Sequence, residues 1–156
     1  MTHVGVARSG GYGLLELIVA MVVAALLTAL AVPAYTSAVA RAKISRAVGE
    51  IGALSVEIDR YSLNNNDAFP ATLADLPVDI PLDPWGNEYQ YFNIRAAGPG
   101  NGPFRKDGKL NPLNSDFDLY SPGKDGDSSG PLSAKKSRDD IVRANNGAYV
   151  GLGEDY

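Results

Sequence analysis

Between residues 17 and 35 the only clearly polar side chain is Thr28. A helix needs about 20 consecutive apolar residues to cross a bilayer, and this run is close to that length. The first choice the chain offers is therefore between a retained membrane helix and a secretory signal peptide. For the signal peptide, Ala29-Leu30-Ala31 supplies a small-x-small cleavage motif. Against it, the run exceeds the roughly 7 to 15 residues of a usual signal core, and Glu16 stands at its mouth, where a charge weakens targeting. The retained helix is the preferred reading. In it Glu16 is costly, because an ionisable group at the edge of an apolar segment needs either the headgroup region or a cationic partner.

Beyond Pro33 the apolar pattern changes from continuous to periodic. Ile44, Val48, Ile51, Leu54, Ile58 and Tyr61 recur at spacings of three and four, the repeat of one buried helix face. Arg41, Lys43, Arg46, Glu50, Glu57 and Arg60 occupy the rest of the surface. The helix is expected to run to about residue 63, where Asn64-Asn65-Asn66 ends it with side chains that tolerate left-handed backbone. Pro33 should remove one backbone hydrogen bond and bend the helix. Gly49 and Gly52 each cost roughly 1 kcal/mol in a helix interior, so a close approach by sheet or loop is expected there.

Composition excludes several functions. Fourteen Lys and Arg against 18 Asp and Glu give a net charge of -4, which disfavours a nucleic-acid binder that neutralises phosphates. With no cysteine, neither a disulfide framework nor a thiolate site can be built, and a single histidine, His3 near the N-terminus, argues strongly against a His-based triad or zinc site. No nucleophile and base pair is evident, and the chain is read as a non-enzyme.

After the helix, residues 69–76 read as a loop with a short helical turn capped by Thr72, with Leu73 and Leu76 plugging the helix face. Asp83-Pro84-Trp85-Gly86-Asn87 is a turn that leads into the alternating Tyr89 and Tyr91, a strand pattern. A buried Trp85 is expected, covering the helix rather than binding sugar. Residues 96–112 read as a loop or loose hairpin around Asp107-Gly108. Asp116-Phe117-Asp118-Leu119-Tyr120-Ser121 alternates like a strand and enters an acidic loop. Asp125, Asp127 and Ser129 there hold the first, third and fifth positions of a calcium loop of EF-hand type, but Lys136 stands where the bidentate glutamate is required. A full EF-hand is rejected. The remaining options are a loop completed by a carboxylate from Asp139-Asp140 and a metal-free Asx-turn loop.

Three of these segments carry a resemblance. Gly11-Tyr12-Gly13-Leu14-Leu15-Glu16 resembles the processing site of type IV pilins and pseudopilins, which are cut after the glycine and carry a glutamate five residues on. Pro33 falls where that family has a proline. Asp83-Pro84-Trp85-Gly86, and Asp118, Ser121, Gly123, Asp125, Gly126 and Asp140-Ile141, are similar to segments of the major pseudopilins of type II secretion systems. The resemblance implies cleavage after Gly11, N-methylation of Tyr12, and an assembly contact between Glu16 and the N-terminal amine of a neighbouring subunit. It also implies a structural Ca²⁺ held by Asp125 and Asp140, with Pro122, Val142 and Ala144 as carbonyl donors; the longer link between the two carboxylates leaves Asp127 or Asp139 as substitutes. Residues 96–112 are longer than that pattern expects and read as a surface loop.

The expected fold is α+β: a long N-terminal transmembrane and amphipathic helix packed on a small antiparallel β-sheet, with a calcium-binding C-terminal loop. Residues 1–11 would be the leader peptide and 12–35 the transmembrane half of the helix. Residues 36–156 would form a periplasmic domain, made of the amphipathic helix 36–63, a loop 64–87, and the sheet with its acidic loop 88–156. The implied function is a pseudopilus subunit that polymerises from the bacterial inner membrane to drive export of folded proteins across the outer membrane. Its implied partners are other copies of itself, minor pseudopilins, the inner-membrane assembly platform, prepilin peptidase and the membrane, with no nucleic acid. A type IV pilus pilin and a single-span membrane-anchored calcium-binding or sugar-binding module are the alternatives.

Overall fold

The computed structural model describes residues 13–98, 102–108 and 110–156. Helix α1 spans Leu14–Asn64 and is followed by strand β1 (Gln90–Asn93), the single-turn helix α2 (Ile94–Ala97), and strands β2 (Phe117–Ser121), β3 (Ile141–Ala144) and β4 (Tyr149–Leu152). The chain divides into two units, one up to Ala40 and one from Arg41 to Tyr156.

In the first unit, α1 is apolar on every side and wholly exposed. Leu14, Leu15, Met21, Leu26, Leu27 and Leu30 are each more than 60% exposed, with nothing among the described residues covering them. Thr28, the one clearly polar side chain between residues 17 and 35, satisfies its hydroxyl within the helix by donating to the Ala24 carbonyl at 2.8 Å. The helix assignment continues through Pro33, and Thr36 Oγ1 donates to the Pro33 carbonyl at 3.0 Å.

In the second unit, α1 from Arg41 onward presents the expected stripe. Ala47, Ile51, Leu54 and Ile58 are buried, flanked by the partly buried Ile44, Val48 and Tyr61. Asn64 is the last helical residue, and Asn66 and Asp67 then take positive φ values of 56° and 60°. The close approach expected at Gly49 and Gly52 is absent: a Cβ at either would meet nothing within 4 Å. Both glycines lie off the buried stripe, so the sheet never reaches them.

The sheet is an antiparallel meander in the order β1-β2-β3-β4. Alternation along the strands gives it two covered faces. Phe117, Leu119 and Ile141 join the α1 residues, Tyr89 and Leu76 in one cluster. The opposite side chains, Val142 and Ala144 with Tyr120, pack with Leu113 and Leu132 from the connecting loops. Each fully buried aliphatic or Phe side chain contributes about 1.5–3 kcal/mol, so the loops over the second face add materially to a small core. Trp85, expected to be buried, is only partly so and packs at the edge of the first cluster.

Strands β3 and β4 and helix α2 escape the sequence reading. The β3–β4 hairpin turns on Asn145, Asn146 and Gly147, all at positive φ (50°, 54° and 88°). Asn-Gly between two short apolar runs is the hairpin signal that would have found it.

Candidate functional site

The Asp-Pro-Trp-Gly turn, the end of β2 and the acidic loop meet at one end of the sheet. The Asp83 carboxylate, 3% exposed, accepts the backbone N–H groups of Trp85 (2.9 Å) and Asn87 (2.8 Å), and the Ser121 hydroxyl (2.5 Å) from the end of β2. Burial pushes its pKa up, but the hydrogen bonds from Ser121, Asn87 and Trp85 outweigh that and hold it below the ordinary 3.8. Asn87 in turn donates its side-chain amide to the Gly123 carbonyl at 2.8 Å. The Asp83 turn is thus the clamp between β2 and the acidic loop.

Within that loop the carboxylates serve the chain itself. Asp139 Oδ2 accepts the backbone N–H groups of Lys124 (2.9 Å) and Asp125 (3.0 Å), folding residues 122–126 over it. Gly123 permits this approach: its φ is +68°, and a Cβ there would collide with the Asp139 carbonyl. Asp125 is exposed, and its Oδ1 accepts the Asp127 N–H at 2.9 Å. Asp127 pairs with Lys136 at the surface.

Asp140 lies immediately before β3 and is fully buried. Its Oδ2 accepts the Ser128 hydroxyl at 2.6 Å and pairs with the Arg105 guanidinium, itself 2% exposed in its side chain. Burial pushes the Asp140 pKa up, opposed by Ser128 and Arg105. Arg105 Nη1 also donates to Ser128 Oγ and to the Ser129 carbonyl (2.6 Å). The guanidinium lies over the Tyr120 ring, 4.3 Å from its centroid. The Arg105 backbone is fixed at both ends, its N–H to Asp118 Oδ2 at 2.6 Å and its carbonyl to the Leu113 N–H at 2.8 Å. Residues 96–112, read as a surface loop, therefore place an arginine at the centre of the C-terminal region. No sequence signal pointed to Arg105; its partner lies 35 residues away.

These positions fit a calcium ion poorly. Asp125 is exposed and Asp140 buried. Val142 and Ala144 are ladder residues of β3, Val142 paired to both Tyr120 and Gly151, and Pro122 is buried beside Ser121. Among the described residues no group of three or more acidic or histidine side chains is gathered to hold a metal. The second oxygen of the buried Asp140 carboxylate, Oδ1, accepts no hydrogen bond.

At the other end of the chain, Glu16 lies exposed in the first turn of α1. Gly11 and Tyr12, the expected cleavage and methylation positions, lie outside the described residues.

A long apolar-then-amphipathic helix packed on a four-stranded antiparallel meander, with an Asp-Pro-Trp-Gly clamp on its terminal loop, defines a protein of the type IV pilin-like class. The chain is 31% identical over 144 residues to the type II secretion system core protein G of Pseudomonas aeruginosa, covering 79% of this chain and 89% of that protein. It is 30% identical to that of Aeromonas hydrophila (77% and 86%) and 31% identical to that of Klebsiella pneumoniae (86% and 93%). No protein-family model matches the sequence, and no solved structure shows a significant match. The chain belongs to the type II secretion system core protein G family, the major pseudopilins.

Proposed function

We propose that this pseudopilin subunit polymerises from the inner membrane into a periplasmic filament whose growth moves folded proteins through the outer membrane. The observation that carries the reading is the bare helix up to Ala40. A helix apolar on all sides must be covered by something, and here the described residues supply no cover. Lipid covers it in the stored subunit and the same helices of neighbouring subunits cover it in the filament. A soluble domain beginning at Arg41 then stands on the periplasmic side as a structural unit with no catalytic role.

Glu16 supports the same reading. A carboxylate among packed apolar helices needs a cation, and cleavage after Gly11 by prepilin peptidase creates one at the Tyr12 amine, N-methylated or free. Paired between neighbours, the two charges set the register in which each subunit enters the filament, on the inner-membrane assembly platform and beneath a tip of minor pseudopilins. N-terminal sequencing of the protein purified from membranes of a host with prepilin peptidase tests this: a mature start at Tyr12 is expected, and a start at Val32 would show a discarded signal peptide and end the filament reading.

A further inference from the structure

The acidic loop and the start of β3 are joined through one buried positive group, and that group belongs to the chain. Three oxygens of different kinds meet the Arg105 guanidinium: the Asp140 carboxylate, the Ser128 hydroxyl and the Ser129 carbonyl. Carboxylate, hydroxyl and carbonyl oxygens are also the donors that a hard divalent cation gathers when it closes a loop. Burying an ionised Asp140 without a positive partner would be strongly unfavourable, and the Arg105 guanidinium is the positive group that stands there. A second cation at the same oxygens would face a permanent guanidinium charge a few ångströms away at low dielectric. The other acidic side chains of the loop are also engaged: Asp139 by the Lys124 and Asp125 amides, Asp127 by Lys136, and Asp125 by the Asp127 amide.

We infer that Arg105 is the resident cation of this loop: the chain closes its C-terminal region with an internal guanidinium where a divalent metal ion would otherwise be required, and its folding is independent of calcium. The long connection of residues 96–112 then has a purpose, since it delivers Arg105, held by Asp118 and Leu113 and stacked on Tyr120, to the face of the sheet away from α1. This inference goes beyond the assignment as a secretion subunit and stands or falls separately from it.

The test is thermal unfolding of the full-length protein in detergent micelles, in excess EGTA and in millimolar calcium chloride. The same melting temperature is expected in both. A rise of more than about 5 °C with calcium would show a bound metal stabilising the fold and overturn the inference. In EGTA, Arg105→Gln should melt at least about 10 °C lower than the unsubstituted protein, because it strands a buried carboxylate. Adding Asp140→Asn to Arg105→Gln should recover part of that loss. An Arg105→Gln protein as stable as the original would also overturn the inference. If Arg105→Gln does not fold, the comparison of the unsubstituted protein with and without calcium still decides.

Discussion

The hydroxyl of Ser121 donates to the Asp83 carboxylate at 2.5 Å across 38 residues of chain. This contact ties the Asp-Pro-Trp-Gly turn to the end of β2, and through Asn87 and the Gly123 carbonyl to the acidic loop. Asp83→Ala strands the Ser121 hydroxyl and two backbone N–H groups together, so the soluble part should lose about 2–4 kcal/mol. Ser121→Ala, which removes one donor from a carboxylate that keeps its others, should cost about 1.5–3 kcal/mol. Urea unfolding of the variants in micelles measures both.

The same carboxylate sets a pH dependence. Because the folded pKa of Asp83 lies below its ordinary 3.8, its contribution to stability is fully present above the unfolded value of about 3.9 and is lost as pH falls through the folded value. Unfolding curves at descending pH should therefore show a loss below about pH 4. Asp83→Asn should be less stable at neutral pH and should lose less on acidification. An equally steep acid limb in that variant would assign it to other groups.

Arg143 bridges strand and loop on the helix-facing side. Its guanidinium donates to both oxygens of Asp116 (2.9 and 2.6 Å) and to the Phe117 carbonyl at 3.1 Å, and lies 4.0 Å from the centroid of the Phe117 ring. The arginine is 4% exposed. Removing one partner of a buried pair costs about 3–5 kcal/mol, so Arg143→Gln should destabilise by about 3 kcal/mol. Lysine lacks the planar fork that meets both oxygens, and Arg143→Lys should recover less than half of the loss, again by urea unfolding.

Gly123→Ala should be poorly tolerated. The substitution forces a Cβ into the Asp139 carbonyl at a φ of +68°, a strain of about 1–3 kcal/mol before any collision is counted. Gly49→Ala, in open space on the exposed side of α1, should instead stabilise by up to about 1 kcal/mol. Melting temperatures that move in opposite directions for the two alanines would confirm the contrast.

The parts of the fold read correctly from sequence are those written in local patterns. The stripe from Ile44 to Tyr61, the asparagines after the helix and the alternation of residues 116–121 each depend on neighbours within a few positions. Arg105 was not legible because nothing near it in sequence distinguishes it from a solvated arginine; its partner Asp140 is brought to it only by the meander. Gly49 and Gly52 misled for the opposite reason. Their intrinsic cost in a helix suggested a neighbour that the position of the sheet does not provide. The β3–β4 hairpin is legible in Asn146-Gly147, the turn pair between two short apolar runs.

The central claim, that this subunit works by assembling through Glu16, is tested most directly by secretion. In a strain lacking the gene, folded substrates of the type II system should accumulate in the periplasm. The unsubstituted gene should restore their release, and Glu16→Leu should insert in the membrane without restoring it. Normal secretion from the strain lacking the gene, or from the Glu16→Leu strain, would contradict the claim.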